Sequence, residues 1–147
     1  MSGTVQDEPM FRWPVRVYWE DTDAGGIVFY ANYLKFFERA RTEWLRSLGL
    51  SQRRLREDSG GMFVVVQAEV RYHRAARLDD VLLVTADVSE LRQASMTIAQ
   101  QALLKPEHPG PAAAELLCDG SIRIGWVDAA TLAPAKIPEN ILKAFKQ

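Results

Sequence analysis

Two aspartates, Asp21 and Asp23, lie in a short acidic turn that a pair of glycines connects to an amphipathic segment. Residues 15–19, before the turn, are rich in β-branched and aromatic side chains, which is typical of a strand. A helix that begins near Asn32 would start with unpaired backbone N–H groups and with the positive end of its dipole. A carboxylate from the turn and an electrophilic carbonyl can meet there, so the pattern predicts an active site at the start of this helix.

The two aspartates also have simpler interpretations. Acidic residues that precede a helix often cap it or are simply solvent-exposed residues of a turn. A calcium-binding loop fits poorly, because its fifth and twelfth positions would be Gly25 and Asn32, where the twelfth needs a bidentate glutamate. A phosphoryl-transferring Asp-x-Asp would need a downstream lysine and acidic cluster to complete a magnesium site, and none stands out. We therefore expect neither a metal nor an organic cofactor.

Composition indicates one domain without a nucleic-acid partner. The 147 residues, 48% of them hydrophobic, are enough for one buried core. The 18 basic and 19 acidic residues leave a net charge of −1, which does not favour binding to nucleic acid. Cys118 is the only cysteine, as in proteins of reducing compartments, and we expect it to be a buried small hydrophobe. No apolar run approaches the ~20 residues of a membrane helix, so the chain is expected to be cytoplasmic.

Periodicity predicts an α+β arrangement. Apolar residues at three- and four-residue steps form one long helix after the turn, which Gly49 ends. Arg41 and the other charged residues of this helix are expected on its solvated or interfacial face. Residues 51–58 form a polar helical turn or loop, and a short helix closes the chain at residues 138–147. Four long β segments lie between them, at residues 62–72, 81–91, 95–104 and 114–127. Together with the first strand they predict an antiparallel sheet of five or more strands that buries the long central helix.

The acidic turn resembles the signature of the 4-hydroxybenzoyl-CoA thioesterase family of hotdog-fold proteins, in particular its Tol-Pal-associated acyl-CoA thioesterase branch. The resemblance rests on EDTDAGGIVFYANY at residues 20–33, on residues 11–18 and 36–43, and on ARLDD at residues 76–80. It continues to the end of the chain, where the last helix resembles the family's short C-terminal helix. This resemblance implies a single hotdog domain over residues 11–147, preceded by a flexible N-terminus at residues 1–10.

The same resemblance implies an acyl-CoA thioesterase that releases a free acid and CoA. Asp23 matches the catalytic aspartate of the 4-hydroxybenzoyl type, which acts either as the nucleophile or as the general base for water. The backbone amide of Tyr30 matches the donor that polarises the thioester carbonyl. Relatives in the Tol-Pal branch often carry histidine at the position of Tyr30, so a mechanism that needs an imidazole at that position is not expected here.

The family motif also places several residues around the substrate. They are Gly25, Gly26, Thr22, Asn32, Arg92 and Ser95. The glycines would let the substrate approach the backbone closely, while Asn32 is equally well explained as a helix N-cap. Arg92 follows a strand where the 4-hydroxybenzoyl type binds CoA phosphates with cations, although an ordinary exposed arginine would look the same. Phe29, Tyr30, Met62 and Phe63 could line a pocket for aromatic or short aliphatic acyl groups, but each is equally well explained as a core residue.

Two other functions remain open. A hotdog dehydratase would need a histidine and a carboxylate beside the acyl tunnel, yet neither His73 nor His108 lies on the central helix. The absence of a Gly-x-Ser-x-Gly motif likewise gives no support to a serine hydrolase. A non-catalytic module that binds acyl thioesters or acyl carrier protein would share every packing feature, and the intact Asp23 turn argues against it.

The predicted strands are long, and a long exposed strand edge tends to pair with another chain. Hotdog proteins dimerise edge to edge, with active sites at the dimer interface, and this branch commonly pairs dimers. The resemblance therefore implies a homodimer or homotetramer with an acyl-CoA substrate. It also implies acyl carrier protein and the Tol-Pal system as candidate partners, the latter at the inner membrane.

Overall fold

Five strands and three α-helices make up the described part of the chain, residues 11–108 and 114–146 of a computed structural model. In chain order they are β1 (Phe11–Arg16), α1 (Asn32–Ser47), α2 (Gln52–Ser59), β2 (Gly61–Tyr72), β3 (Val81–Leu91), β4 (Ser95–Leu104), β5 (Glu115–Asp128) and α3 (Glu139–Phe145). The predicted flexible N-terminus at residues 1–10 lies outside the described residues. No helix in the described ranges is long and apolar enough to cross a bilayer.

The strands form one antiparallel sheet in the order β1-β3-β4-β5-β2. Helix α1 buries Phe36, Phe37 and Ala40 completely against the sheet. Gly120 on β5 makes this contact possible, because a Cβ atom there would lie 2.8 Å from the Phe37 ring. The predicted α+β arrangement, a long helix wrapped by an antiparallel sheet with a short helix near the end, is therefore confirmed.

Strand β1 lies several residues earlier than predicted. The sequence pattern placed it at residues 15–19, whereas the strand ends at Arg16 and Trp19 begins a short 3₁₀ turn, Trp19–Asp21. The turn forms because the Asp21 backbone N–H donates to the Tyr18 carbonyl at 3.0 Å, which a strand cannot accommodate. The predicted bounds of β3 and β4 agree with the structure, those of β2 differ by one residue at its start, and those of β5 differ by one residue at both ends.

Arg41 on α1 is buried, contrary to the prediction of a solvated or interfacial position. Its Nη1 donates to Gln100 Oε1 at 2.9 Å, and burial lowers the pKa of the guanidinium. The Gln100 amide in turn donates to the carbonyls of Phe37 on α1 and Thr85 on β3, at 3.0 and 3.1 Å. This network ties α1 to two strands, so the start of the helix has a fixed position over the sheet.

The two edges of the sheet differ in how open they are. Strand β1 has six residues and contains Pro14, which cannot donate a ladder hydrogen bond. Strand β2 has twelve residues without proline, and its Val65 and Val66 side chains are 52% and 57% exposed. The β2 edge is the longer of the two and has these exposed valines, although its register with β5 shifts between Val65 and Gln67.

Candidate active site

Asp21 is the residue around which the acidic turn is built. Its side chain is buried, with 3% of the residue exposed. One carboxylate oxygen accepts from the Tyr18 backbone N–H at 2.9 Å, and the other accepts from Asn32 Nδ2 at 2.6 Å. Its carbonyl accepts from the Phe29 N–H at 3.0 Å. These three bonds connect the end of β1, the turn and the start of α1, so Asp21 positions the site and does not face it.

Asp23 lies two residues further on and is exposed. Its Oδ1 accepts from the Gly25 N–H at 2.8 Å, and its backbone N–H donates to the Ile27 carbonyl at 2.9 Å. Gly26 has a φ of 80°, which a residue without a side chain adopts at little cost. The second carboxylate oxygen of Asp23 has no hydrogen-bond partner among the described residues, so it is available to a substrate or a water molecule.

The backbone amide of Tyr30 is a free donor at the start of α1. Two amides further along are used, since the Asn32 N–H donates to the Phe29 carbonyl and the Leu34 N–H to the Ala31 carbonyl, at 2.8 and 3.2 Å. No acceptor within residues 11–108 and 114–146 binds the Tyr30 N–H. The predicted uncompensated donor at the helix start is therefore present, where the helix dipole favours negative charge.

Asp23 and Tyr30 line one open groove of about 390 Å³. The other residues along it are Ile27, Val28, Phe29, Tyr33, Tyr72, His73, Arg74 and Ala75. Aromatic rings form much of the surface, with Tyr72 at 6.1 Å from Tyr30 and 5.7 Å from Tyr33 between ring centroids. Burial raises the pKa of both Tyr33 and Tyr72, so these phenols stay protonated. The groove offers one exposed carboxylate, one backbone donor and an apolar wall.

His73 is a groove residue that spacing along the chain does not identify. Its Nε2 lies 2.6 Å from Asp119 Oδ2, and its backbone N–H donates to the Leu117 carbonyl at 2.9 Å. The neighbouring Arg74 is paired with Glu115 at 2.7 Å. These partners come from β5, 41 and 46 residues away, and only the β2–β5 register brings them together.

The structure shows what three residues from the sequence analysis contact. Thr22 Oγ1 donates to the Trp19 carbonyl at 3.0 Å and closes the turn. Asn32 is not the N-cap of α1: it is the first helical residue, Ala31 precedes it, and its buried side chain is bound to Asp21. Phe63, considered for the acyl pocket, packs in the core against Trp126 at 4.9 Å between ring centroids.

Arg92 and Ser95 form the β3–β4 hairpin, where the Arg92 N–H donates to the Ser95 carbonyl at 2.8 Å. The Arg92 side chain pairs with Glu90 at 3.0 Å and is 58% exposed. Strand β3 begins at the end of the sheet nearest the groove, and its eleven residues span roughly 35 Å away from it. Within one protomer, the structure therefore places Arg92 and Ser95 far from Asp23.

Cys118 is fully buried, as predicted. Burial raises the pKa of its thiol to about 12. The thiol is therefore protonated at neutral pH and is a small hydrophobic group of the core.

Comparison with known proteins points to one family. A family model described as the thioesterase-like superfamily matches residues 17–145. Acyl-CoA thioesterase YbgC of Haemophilus influenzae is 40% identical over 135 residues, covering 92% of this chain and 93% of that protein. Acyl-CoA thioester hydrolase YbgC of Escherichia coli O6:H1 is 40% identical over 138 residues, covering 94% and 97%.

Among solved structures, a 4-hydroxybenzoyl CoA thioesterase mutant complexed with 4-hydroxybenzoyl CoA matches with a TM-score of 0.82. The match covers 91% of this chain and 96% of that chain at 19% identity, a likeness that shows the fold. Together with the family match, it confirms the predicted hotdog fold.

Replacing Asp21 with Asn is expected to destabilise the fold, because the new NH₂ group must face either the Tyr18 N–H or the Asn32 amide donor. A buried donor without an acceptor costs about 1–3 kcal/mol, and the free energy of unfolding in urea should fall by that amount. The double variant Asp21→Asn, Asn32→Asp gives each donor an acceptor again and should recover most of the loss. A double variant no more stable than the single one would contradict this role for Asp21.

Proposed function

Since the chain belongs to the thioesterase-like superfamily, we propose that it hydrolyses acyl-CoA thioesters, with Asp23 as the reacting carboxylate and the Tyr30 amide as the carbonyl donor. The observation that carries this proposal is that an unpaired carboxylate oxygen and an unpaired helix-start amide line the same apolar groove. The names of the YbgC relatives support the substrate class.

The chemistry follows from these two groups. The thioester oxygen accepts from the Tyr30 N–H, which stabilises the negative charge that grows on it; one such donor contributes about 3 kcal/mol. Asp23 then either attacks the carbonyl carbon, giving an anhydride that water hydrolyses, or takes a proton from an attacking water. Both routes end with a free acid and CoA. Gly25 and Gly26 keep the turn free of side chains, so the acyl group can lie against the backbone.

The Asp23→Asn variant should lower kcat by at least ~100-fold, because it removes a group that acts in the transition state. Asn keeps an oxygen that can accept from the Gly25 N–H, so the turn should stay folded. Glu20→Gln is the matched control, since Glu20 is an exposed carboxylate of the same turn that does not line the groove. Steady-state assays with a panel of acyl-CoAs give kcat for each protein. An Asp23→Asn protein as active as wild type would contradict the role of Asp23 as the reacting carboxylate.

A hydratase is the second candidate, because His73 and Asp23 both border the groove, although the His73 ring is bonded to Asp119. A hydratase would add water to an enoyl-CoA and leave the thioester intact, whereas a thioesterase releases a thiol. A non-catalytic acyl-thioester or acyl-carrier-protein binding module would do neither. Product analysis with saturated and unsaturated acyl-CoAs separates the three, and thiol release that needs Asp23 is the outcome expected here.

The active form is a homodimer or homotetramer in which β2 pairs with β2 of a second copy. The length of β2 and its exposed Val65 and Val66 support this assembly, while Pro14 argues against pairing through β1. Pairing would also close one side of the groove, since Tyr72 and His73 lie at the end of β2. Binding to acyl carrier protein, association with the Tol-Pal system and a position at the inner membrane remain predictions.

A lysine at the β2 edge should break the assembly, because a charged side chain blocks edge-to-edge pairing. Val66→Lys is therefore expected to shift the protein to monomers at micromolar concentration and to lower its thioesterase activity. Leu132→Lys is the control, since Leu132 is exposed to nearly the same degree, 59% against 57%, but lies away from the edge. Sedimentation velocity gives the oligomeric state, and a fully active wild-type monomer would contradict a two-subunit site.

Antiparallel pairing of two β2 strands would also bring CoA-binding residues to the groove. It places the hairpin with Arg92 and Ser95 of one copy at the groove end of the other copy's sheet. The exposed Arg92–Glu90 pair contributes little to stability, so Arg92 can exchange its partner for a CoA phosphate at little cost. Arg92 therefore serves the groove of the second copy and not its own.

Arg92→Ala should raise KM for acyl-CoA several-fold with a smaller change in kcat, because a phosphate contact remote from the thioester supports binding. Arg53→Ala is the matched control, as Arg53 is an exposed arginine paired with Glu57 at 3.2 Å. Added salt should weaken binding to wild type more than to Arg92→Ala. An acyl-N-acetylcysteamine, which lacks the nucleotide, should be hydrolysed equally by both proteins; an equal loss on both substrates would instead indicate a role in folding or in the acyl site.

A further inference from the structure

The Tyr72 side chain lies on the face of the sheet that α1 covers. Residues opposite one another on paired antiparallel strands share a face, and Tyr72 lies opposite Cys118 on β5. Cys118 is fully buried, and the next β5 residue on the same face, Gly120, lies against the Phe37 ring of α1. The inner face of β2, which carries Tyr72, therefore points to the same side of the sheet as α1.

This inner face of β2 stays open where the neighbouring face of β5 is buried. Val65 lies opposite Ile124, which is 4% exposed, yet Val65 itself is 52% exposed. Ala68 is also exposed, and Val70 is only partly buried. These three apolar residues, Val65, Ala68 and Val70, form a row that we call the β2 strip. Tyr72 is the next residue on the same face, and Ala68 lies roughly 13 Å from it along the strand.

The Tyr72 ring lies between the groove and the β2 strip. It lines the groove, whereas the strip residues do not. On the groove side it meets two other rings, with its centroid 6.1 Å from that of Tyr30, edge to face, and 5.7 Å from that of Tyr33. Those rings come from the loop before α1 and from the first turn of α1. The groove is therefore closed by Tyr72 at the point where the strip begins.

The wall formed by Tyr33 is fixed, while the wall formed by Tyr72 is not. Tyr33 is 2% exposed, its hydroxyl accepts from the Ala76 N–H at 3.0 Å, and its ring packs edge to face on Phe36 at 5.9 Å between centroids. Tyr72 is 46% exposed, and its hydroxyl has no hydrogen-bond partner among the described residues. Tyr72 can therefore be shortened without loss of a hydrogen bond or of a buried side chain.

We propose that Tyr72 is the residue that limits the length of the acyl group, because its ring closes the groove against the β2 strip. This inference rests on the proposed thioesterase function. A thioester with its carbon beside Asp23 and its oxygen on the Tyr30 amide extends its acyl group along the aromatic wall of the groove, where the Tyr72 ring blocks it. A short acyl group is bound completely, whereas the further methylenes of a long chain stay in water and add no binding free energy.

The test measures kcat/KM for butyryl-, decanoyl- and palmitoyl-CoA and compares each long chain with butyryl-CoA. Such a ratio within one protein does not depend on how much of that protein is folded. For wild type, the decanoyl-to-butyryl ratio should be about 1 or lower, because the added methylenes remain in water. Tyr72→Ala should raise this ratio at least ~10-fold, since each methylene newly buried on the strip contributes about fourfold.

Three further variants separate the ring from other effects. Tyr72→Phe keeps the ring and should keep the ratio of wild type. Trp13→Ala is the matched control, since Trp13 is a half-buried aromatic residue of the other edge strand, 38% exposed, and should also keep that ratio. The double variant Tyr72→Ala, Ala68→Phe places a ring on the strip itself. It should lose most of the gain on palmitoyl-CoA, because the chain can no longer lie along β2.

Each other outcome overturns the proposal in a distinct way. An unchanged ratio in a folded, active Tyr72→Ala protein means that the second copy fills the strip or that the acyl group lies elsewhere. A shifted ratio in Tyr72→Phe assigns the effect to the hydroxyl and not to the ring. A wild type that already prefers palmitoyl-CoA excludes the length limit but leaves the thioesterase function standing.

A wild type that releases no thiol from any acyl-CoA overturns both the length limit and the proposed function. Thermal melting and sedimentation velocity show whether each variant is folded and assembled as wild type is. If Tyr72→Ala fails either check, Tyr72→Leu decides with the same substrates, because leucine is apolar but shorter than the phenol ring. An unchanged ratio in Tyr72→Leu then overturns the proposal, and a raised ratio supports it.

Discussion

The buried carboxylate of Asp21 is the constraint on which the site depends. Burying a charged carboxylate is costly unless hydrogen bonds compensate it, and here Tyr18 and Asn32 supply the donors. These donors come from opposite sides of the turn, so satisfying the charge fixes the end of β1 relative to the start of α1. Asp23 and Tyr30, the residues proposed to react with the thioester, lie in the loop between these two fixed points. Because Asp21 fixes the turn, Asp23 can stay exposed and incompletely hydrogen-bonded.

A second network holds the middle of the same helix. Arg41 and Gln100 link α1 to β3 and β4 in the middle of the core. A buried guanidinium needs acceptors, and the Gln100 amide provides one while it also binds two carbonyls. The start of α1 is therefore held at the turn by Asp21 and along the sheet by Arg41. A backbone donor that must meet a substrate oxygen at hydrogen-bond distance benefits from such rigid support.

Local sequence patterns predicted what depends on nearby residues. The three- and four-residue spacing of Phe36, Phe37 and Ala40 located α1, and β-branched segments located the long strands within one residue or so. The acidic turn and helix start were likewise predictable, since Asp23 and Tyr30 are seven residues apart. The early end of β1 was missed, because it depends on how the Asp21 carboxylate is satisfied and not on strand propensity.

What the sequence could not reveal depends on register across the sheet. His73 meets Asp119 only because β2 and β5 pair as they do, and Arg41 is buried only because Gln100 faces it from β4. The separation of Arg92 from Asp23 likewise follows from the direction of β3. No spacing along the chain encodes these juxtapositions, so a charged helix residue looked solvated and a strand-end histidine looked incidental.

The proposed chemistry nevertheless rests on a simple geometry, in which a thioester lies with its carbonyl oxygen on the Tyr30 amide and its carbon beside Asp23. A crystal structure of the Asp23→Asn variant with an unhydrolysed acyl-CoA tests this geometry most directly, since the variant should bind the substrate without cleaving it. We expect the thioester oxygen within about 2.7–3.2 Å of the Tyr30 nitrogen, with the substituted side chain at position 23 against the carbonyl carbon. A thioester bound outside the groove, or with its oxygen turned away from Tyr30, would contradict it.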